Sequence, residues 1–381
     1  MELPSNFLYG HSVFHCQLHN LLNFLLFRLT GLSGSLGSKD LLLFCLQRFD
    51  AFLCCGDLRI VLFYNSFLFL LQLIDGLIYL RDFFIQFIRS LLRGTALTLV
   101  IENTNTRSGD YTKTEELLRP GHADYTAYAK YEGWQDARGG GHFSGRITAA
   151  SVAAGSICEH ILAQRGIKVY THIARCAGVE DAPLSSSAGL IMAEPQPGHF
   201  ALLDPEKEAP MQAAIRAAGA EGDSVGGILE TVITGVPAGI GEPFFDSVES
   251  EIAHLAFAIP AVKGIEFGAG FAFADLRGSQ ANDPFTMRDG KVVTATNKNG
   301  GINGGIANGM PIVFRTAVKP TPSIYKEQDT VDYIAKADAK LQIKGRHDPC
   351  IVPRAAVVQN TLAAFAVLDL LTVRYGTLGQ K

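Results

Sequence analysis

The 381-residue chain is long enough to bury the core of one large domain or two ordinary ones. Its formal net charge of −4 gives no field that attracts nucleic acid, so anionic ligands must be caught by locally placed Arg, Lys and His. Seven cysteines without CxxC pairs or a regular framework, the adjacent Cys54 and Cys55 apart, read as reduced thiols of a cytosolic protein.

No secretory signal is expected, because Glu2 follows Met1 directly and neither a basic stretch nor a small-residue cleavage site is present. Met1 to about Arg93 is rich in Leu and Phe and poor in charge, holding more than half of the 24 Phe and four of the seven Cys. Runs such as Leu21–Phe27, Leu41–Cys45 and Val61–Ile74 follow neither a strand nor a helix period. Three readings fit this segment. Ile60–Ile74 could enter a membrane, but it is shorter than the ~20 residues of a span and is interrupted by Tyr64, Asn65, Ser66 and Gln72. A buried helical subdomain is the second. The third, which we prefer, is an atypical apolar segment that was not selected to fold, such as a frameshifted or misassembled coding region yields. It leaves residues 94–381 as the patterned, folding domain.

From Gly94 onward the pattern becomes regular. Thr95–Glu102 reads as a strand. Ile147–Gln164 carries apolar residues at helical spacing and is closed by Gly166. Lys168–Ala174 is a strand, and Asp204 caps a helix from Pro205 to about Ala218. Gly227–Val236 is a strand, Asp246–Ala258 a helix capped by Asp246 or Ser247, and Gly264–Asp275 a strand broken by glycines. Ile312–Val318 is a further strand, and Ala355–Tyr375 the final helix. The mixture predicts an α+β or α/β fold.

Four segments carry chemistry. In Arg119–Tyr125, His122 sits between a rigid proline turn and Asp124, an arrangement suited to proton transfer, or simply a structural loop histidine. Arg138 to Arg146 runs through three glycines and His142, Phe143 and Ser144 into the start of a helix. Bare amides, the positive helix end and two arginines make an anion site there; the plainer reading is a flexible turn. Gly300–Gly309 lets backbone approach a bulky ligand, or forms a glycine hairpin. Lys344–Cys350 packs base, acid and thiol ahead of the last helix, with Cys350 read as a small buried hydrophobe. HExxH, paired zinc cysteines, a P-loop and a GxSxG elbow are all missing, so no metal or acyl-enzyme chemistry is expected. A generic flavin oxidoreductase is disfavoured, since no dinucleotide fingerprint follows a strand.

These blocks, with Gly94–Tyr111, Gly235–Glu242, Ala261–Phe271, Lys319–Ile324 and Gly345–Pro349, resemble the chorismate synthases, in order and over about Gly94 to Tyr375. The resemblance implies a sandwich of antiparallel sheets enclosing helices, assembled as a cytoplasmic homotetramer with no nucleic-acid or membrane partner. It implies reduced FMN, with NADPH as candidate reductant of the flavin. The implied reaction is an anti-1,4-elimination of phosphate from 5-enolpyruvylshikimate 3-phosphate to give chorismate. On this resemblance His122 and Asp348 are catalytic, His122 managing protonation beside the flavin and Asp348 taking up a proton through it. His142, Phe143, Ser144, Pro260, Ala261, Gly304, Lys319, Pro320, Thr321, Pro322, Ser323 and Arg346 fall at FMN-contact positions. Arg138, Arg146 and Arg346 hold substrate anions. The family opens with a GESHG-type motif supplying a second histidine and an Arg-rich RRxPG segment. Met1–Arg93 contains neither motif, and Tyr9-Gly10-His11-Ser12 lacks the flanking pattern. The alternative reading is therefore a catalytically impaired member that binds FMN and phosphate.

Overall fold

The protein is described by a computed structural model over residues 98–102, 116–135, 143–184, 198–343 and 348–376. In chain order, α1 spans Asp124–Lys130 and α2 Thr148–Ala163; β1 spans Lys168–Cys176 and β2 Val179–Glu180. Next come α3, Glu208–Ala220, β3, Gly227–Thr234, α4, Val248–Ala258, and β4, Val262–Phe267. The short helix α5, Gly278–Ala281, precedes two hairpins, β5 (Phe285–Arg288) with β6 (Lys291–Thr294) and β7 (Ile302–Asn303) with β8 (Ile306–Ala307). Strand β9, Ile312–Val318, a third hairpin of β10 (Gln328–Asp332) and β11 (Ala337–Leu341), and α6, Val352–Tyr375, complete the described elements.

One antiparallel sheet, ordered β2-β1-β3-β9-β4, forms the centre. Strand β9 shows why its sequence makes a strand: Ile312, Phe314, Thr316 and Val318 are buried and alternate with more open residues. The buried face of the sheet packs beneath α6, which also lies against α2 and α4. Two apolar clusters result. One gathers Phe314, Ile233, Ile252, Leu162 and Val367; the other gathers Leu229, Met211, Val262, Cys350 and Val352. Val152 near the start of α2 packs in the same cluster as Val352 and Ala355, whereas Leu162 near its end packs with Val367 and Leu370. Helices α2 and α6 therefore run in the same direction. They meet at Gly155, where a Cβ would stand 2.4 Å from the Thr361 carbonyl oxygen, so only glycine permits this approach.

Helix α6 is long and apolar enough to cross a membrane. However, 56% of its most apolar stretch is buried inside the protein, which makes it a core helix of this fold. Beneath it runs a polar ladder: Gln359 Nε2 donates to Thr231 Oγ1 at 2.8 Å, Thr231 bonds Thr171 at 2.8 Å, and Thr316 Oγ1 donates to Gln359 Oε1.

The expected elements hold with adjustments. The helix begun at Pro205 starts as a 3-10 turn, Pro205–Lys207, with Asp204 accepting from Glu206 N, and α4 is capped by Ser247 accepting from Ser250 N. Helix α6 begins at Val352, ahead of the expected Ala355, because Pro353 is tolerated in a first helical turn. Two expectations are corrected. Gly264–Asp275 is not one strand: β4 ends at Phe267, and Gly268, at φ 56°, turns the chain into a 3-10 helix over Gly270–Asp275. The described part of Thr95–Glu102, residues 98–102, has no regular structure, and no described strand pairs with it. The Ile60–Ile74 run lies outside the described residues.

Candidate active site

The turn from Arg119 to Asp124 closes on itself, His122 N donating to the Arg119 carbonyl at 3.1 Å. Arg119 grips the Asp124 carboxylate with Nε at 2.8 Å, Nη2 at 2.7 Å and its backbone N–H at 2.9 Å. His122 Nδ1 lies 2.8 Å from Asp124 Oδ1 and 3.0 Å from Arg119 Nη2. Both contacts cannot be hydrogen bonds of one tautomer. The carboxylate is the closer and stronger partner, and Arg119 Nη2 already donates to it, so we place the proton on Nδ1. Nε2 is then the nitrogen left for proton exchange with a ligand.

Burial alone would raise the Asp124 pKa. The hydrogen bonds from Arg119 and His122, with the charge of Arg119, outweigh it and hold the carboxyl well below the usual carboxylate range. A depressed folded-state value means stability that is complete above the unfolded pKa of about 4 and is lost as pH falls below it. Asp124→Asn is therefore expected to lower stability at pH 7 and to flatten its dependence between about pH 4 and 2, read as thermal midpoints against pH. An unchanged pH dependence in that window would mean that Asp124 contributes nothing through its charge.

Other expected site residues converge on this turn. Lys319 Nζ donates to the Gly121 carbonyl at 2.6 Å, and Lys319 N donates to the Ala261 carbonyl at 2.9 Å. Pro260–Ala261, the run Lys319–Ser323 and the His122 turn therefore adjoin. Ala261 holds φ 73°, a conformation unusual for a residue with a side chain. The Asp348 segment joins the same group through Ser224, whose hydroxyl donates to Thr321 O at 2.7 Å, and Val225, whose N–H donates to Pro349 O at 2.8 Å. Asp348 is held on Oδ2 by Arg354 Nη1 at 2.7 Å and on Oδ1 by the Cys350 N–H at 3.3 Å. Thr321 Oγ1 is buried without a hydrogen-bond partner among the described residues, an atom that a polar ligand of this run would satisfy.

Some expected residues are placed elsewhere. Gly304 sits in the β7–β8 turn. The neighbouring Gly305 carbonyl accepts from Val248 N, and Gly301 lies against Pro311 before β9, at the opposite end of that strand from Lys319. Ser144 caps the 3-10 turn Gly145–Ile147 by accepting from Arg146 N, and with Phe143 it leads into α2. Since α2 and α6 are parallel, these residues stand at the α6 end where Cys350 lies. Arg138, His142 and Arg346 fall outside the described residues.

Sequence reasoning missed two features. Arg119 has no local signal that sets it apart within its block, yet it organises the His122 turn. His172, fully buried on β1, bonds Asp181 through Nδ1 at 2.9 Å and Glu230 through Nε2 at 3.0 Å. Asp181 in turn accepts from Leu203 N and Asp204 N, tying the strand to the 198–204 segment. Only strand pairing brings those residues together, so no local signal marks them.

A family model described as chorismate synthase matches residues 88–372. The chain is 47% identical over 285 residues to a chorismate synthase of Thermococcus kodakarensis, covering 74% of this chain and 78% of that protein. It is 49% identical over 278 residues to one from Chitinophaga pinensis, covering 73% and 74%. A crystal structure of chorismate synthase superposes with a TM-score of 0.51 at 27% identity, covering 67% of this chain and 71% of that one. With a family match across three quarters of its length and relatives near half identical, the chain belongs to the chorismate synthase family.

Proposed function

We propose that the junction of the His122 turn, Pro260–Ala261, Lys319–Ser323 and Asp348 is where this chain performs its family's reaction. That reaction is a carbon–oxygen lyase step, the anti-1,4-elimination of phosphate from 5-enolpyruvylshikimate 3-phosphate to give chorismate. Phosphate leaves one end of the reacting system and a proton the other. His122 exchanges a proton at Nε2 while Asp124 fixes its tautomer, and Asp348 takes up a proton on its carboxylate. Arg138, Arg146 and Arg346 hold the substrate's phosphate and carboxylates, where guanidinium forks match anion geometry. FMN would be held by His142, Phe143, Ser144 and Arg346, by Pro260–Ala261, by Gly304 and by Lys319–Ser323. Bound in reduced form, it supplies electron density for phosphate departure; NADPH is the candidate reductant. The unsatisfied Thr321 hydroxyl supports a polar ligand at that run.

The single observation that carries this reading is the family match from residue 88 to 372. It favours the enzyme over a member that binds but does not turn over. Supplying reduced FMN and the substrate without oxygen should release phosphate and chorismate in equal amounts. Tight FMN binding with no phosphate release would instead establish the impaired alternative.

We place the chain in the cytoplasm as a homotetramer. Phe244, Phe245 and Phe271, between 82% and 90% exposed, support an assembly that covers them. Residues 94–381 form the catalytic domain, incomplete at its N-terminal side, and residues 1–93 are an atypical apolar segment outside it. The unpatterned Leu- and Phe-rich composition and the start of the family match at residue 88 support that division. Replacing residues 1–93 with the N-terminal segment of the Thermococcus kodakarensis relative is expected to raise solubility and phosphate release per mole. If the unaltered chain is already soluble, tetrameric and equally active, the first 93 residues are a genuine domain.

A further inference from the structure

We propose that Cys176 and Cys350 form a reversible redox site, a dithiol that a peroxide converts into a disulfide beside Asp348. The consequence for turnover rests on the proposed role of Asp348; the disulfide itself does not.

The two residues are 174 positions apart in sequence, yet their sulfurs stand 3.5 Å from one another. Cys176 is the last residue of β1, and Cys350 immediately precedes Ile351, the N-cap of α6. Both are buried in the cluster that also contains Ile173, Leu229 and Val352, so packing holds the sulfurs in contact. The third described cysteine, Cys158, packs in the other cluster with Leu162 and Phe314. Closing the gap to a disulfide needs a movement of only about 1.5 Å between the sulfurs.

The surroundings also divide the roles. The two thiols share one contact in which either can donate, and burial opposes the ionisation of both. Where Cys176 donates, that hydrogen bond and the Val352 N–H at the start of α6 pull the Cys350 pKa below that of an ordinary thiol, against its burial and the charge of Asp348. Cys350 is thus the attacking thiolate and Cys176 the resolving thiol. The Cys350 sulfur attacks one peroxide oxygen, the O–O bond breaks, and a sulfenic acid and hydroxide form. The Cys176 sulfur then attacks the sulfenic sulfur, and its thiol proton leaves with the displaced hydroxyl as water. The two sulfurs lose two electrons to the peroxide; overall, two thiols and one peroxide give one disulfide and two waters. Because the Cys350 N–H holds Asp348 Oδ1, drawing Cys350 toward β1 shifts the carboxylate the reaction uses.

The test exposes the reduced full-length protein to hydrogen peroxide, digests it without reductant and maps the peptides by mass. The expected result is a Cys176–Cys350 linked peptide that dithiothreitol dissolves. In Cys176→Ser the Cys350 sulfenic acid should persist and be trapped by dimedone. Both thiols remaining free, or Cys350 accumulating as sulfenic acid in the unaltered protein, would overturn the proposal. Turnover measured on the same samples should fall at least tenfold and return with dithiothreitol. A linked peptide with unchanged turnover would uphold the redox site and count against the role of Asp348.

Discussion

His122→Ala is expected to lower turnover roughly 10²-fold or more while leaving FMN affinity within a few-fold of the unaltered chain. The size follows from what the side chain does: a positioned acid or base contributes about 10² to 10⁴ to rate, whereas a loop histidine that only fills space contributes little. The structure sharpens the expectation. Asp124 Oδ1 lies 2.8 Å from Nδ1 and is itself gripped by Arg119, so the imidazole is oriented from one side and Nε2 is the nitrogen proposed to exchange protons. Removing the ring leaves Arg119 and Asp124 paired with one another, and the turn should keep its shape. Loss of rate without loss of cofactor affinity is the signature to measure, in single turnovers with reduced FMN. Turnover within about twofold of the unaltered chain would remove His122 from the chemistry.

Asp348→Asn should have a comparable effect for a different reason. The amide is nearly isosteric and can still accept from the Cys350 N–H, but it takes up no proton and loses the charge that pairs with Arg354. Turnover is expected to fall by roughly 10²-fold or more while substrate affinity changes only a few-fold. A collapse of substrate affinity with little change in the rate of the bound complex would make Asp348 a binding residue. Because Arg354 is largely exposed, its pairing with Asp348 contributes little to stability, and the variant should fold normally.

Much of the fold was legible because its period is strong. Strand β9 has the expected bounds, Ile312–Val318, and α4 lies within the expected Asp246–Ala258, with Ser247 the one of the two expected caps that is used. The β5–β6 hairpin was not found: all of β5 is exposed, so burial imposed no alternation on Phe285–Arg288. Gly264–Asp275 misled because its apolar residues suit a strand, while Gly268 meets the Lys298 carbonyl and forces a turn that only the tertiary fold reveals. The same division holds at the site. The His122 turn and the glycine blocks were legible because unusual local chemistry marks them. That Lys319 would reach Gly121, and that Gly304 would stand at the far end of β9, depends on which strand ends meet. The pairing of Cys176 with Cys350 and of His172 with Glu230 depends on long-range register in the same way.

The polar ladder under α6 solves a problem of orientation that burial leaves open. A helix apolar on nearly every side gains about as much by burying one face as another, so the hydrophobic effect does not fix its angle about its own axis. Gln359 does, because its amide reaches Thr231 and Thr316 together from only one azimuth. A slip of one residue along α6 would turn it by about 100°, leaving that amide and the Thr316 hydroxyl unpaired in the core and Thr231 with Thr171 alone. Two turns upstream, the same setting decides where Arg354 and the Cys350 N–H stand, and through them the direction in which the Asp348 carboxylate points. The glutamine in the core thus acts as an alignment key, transmitting the phase of a featureless helix to the acid at its entrance.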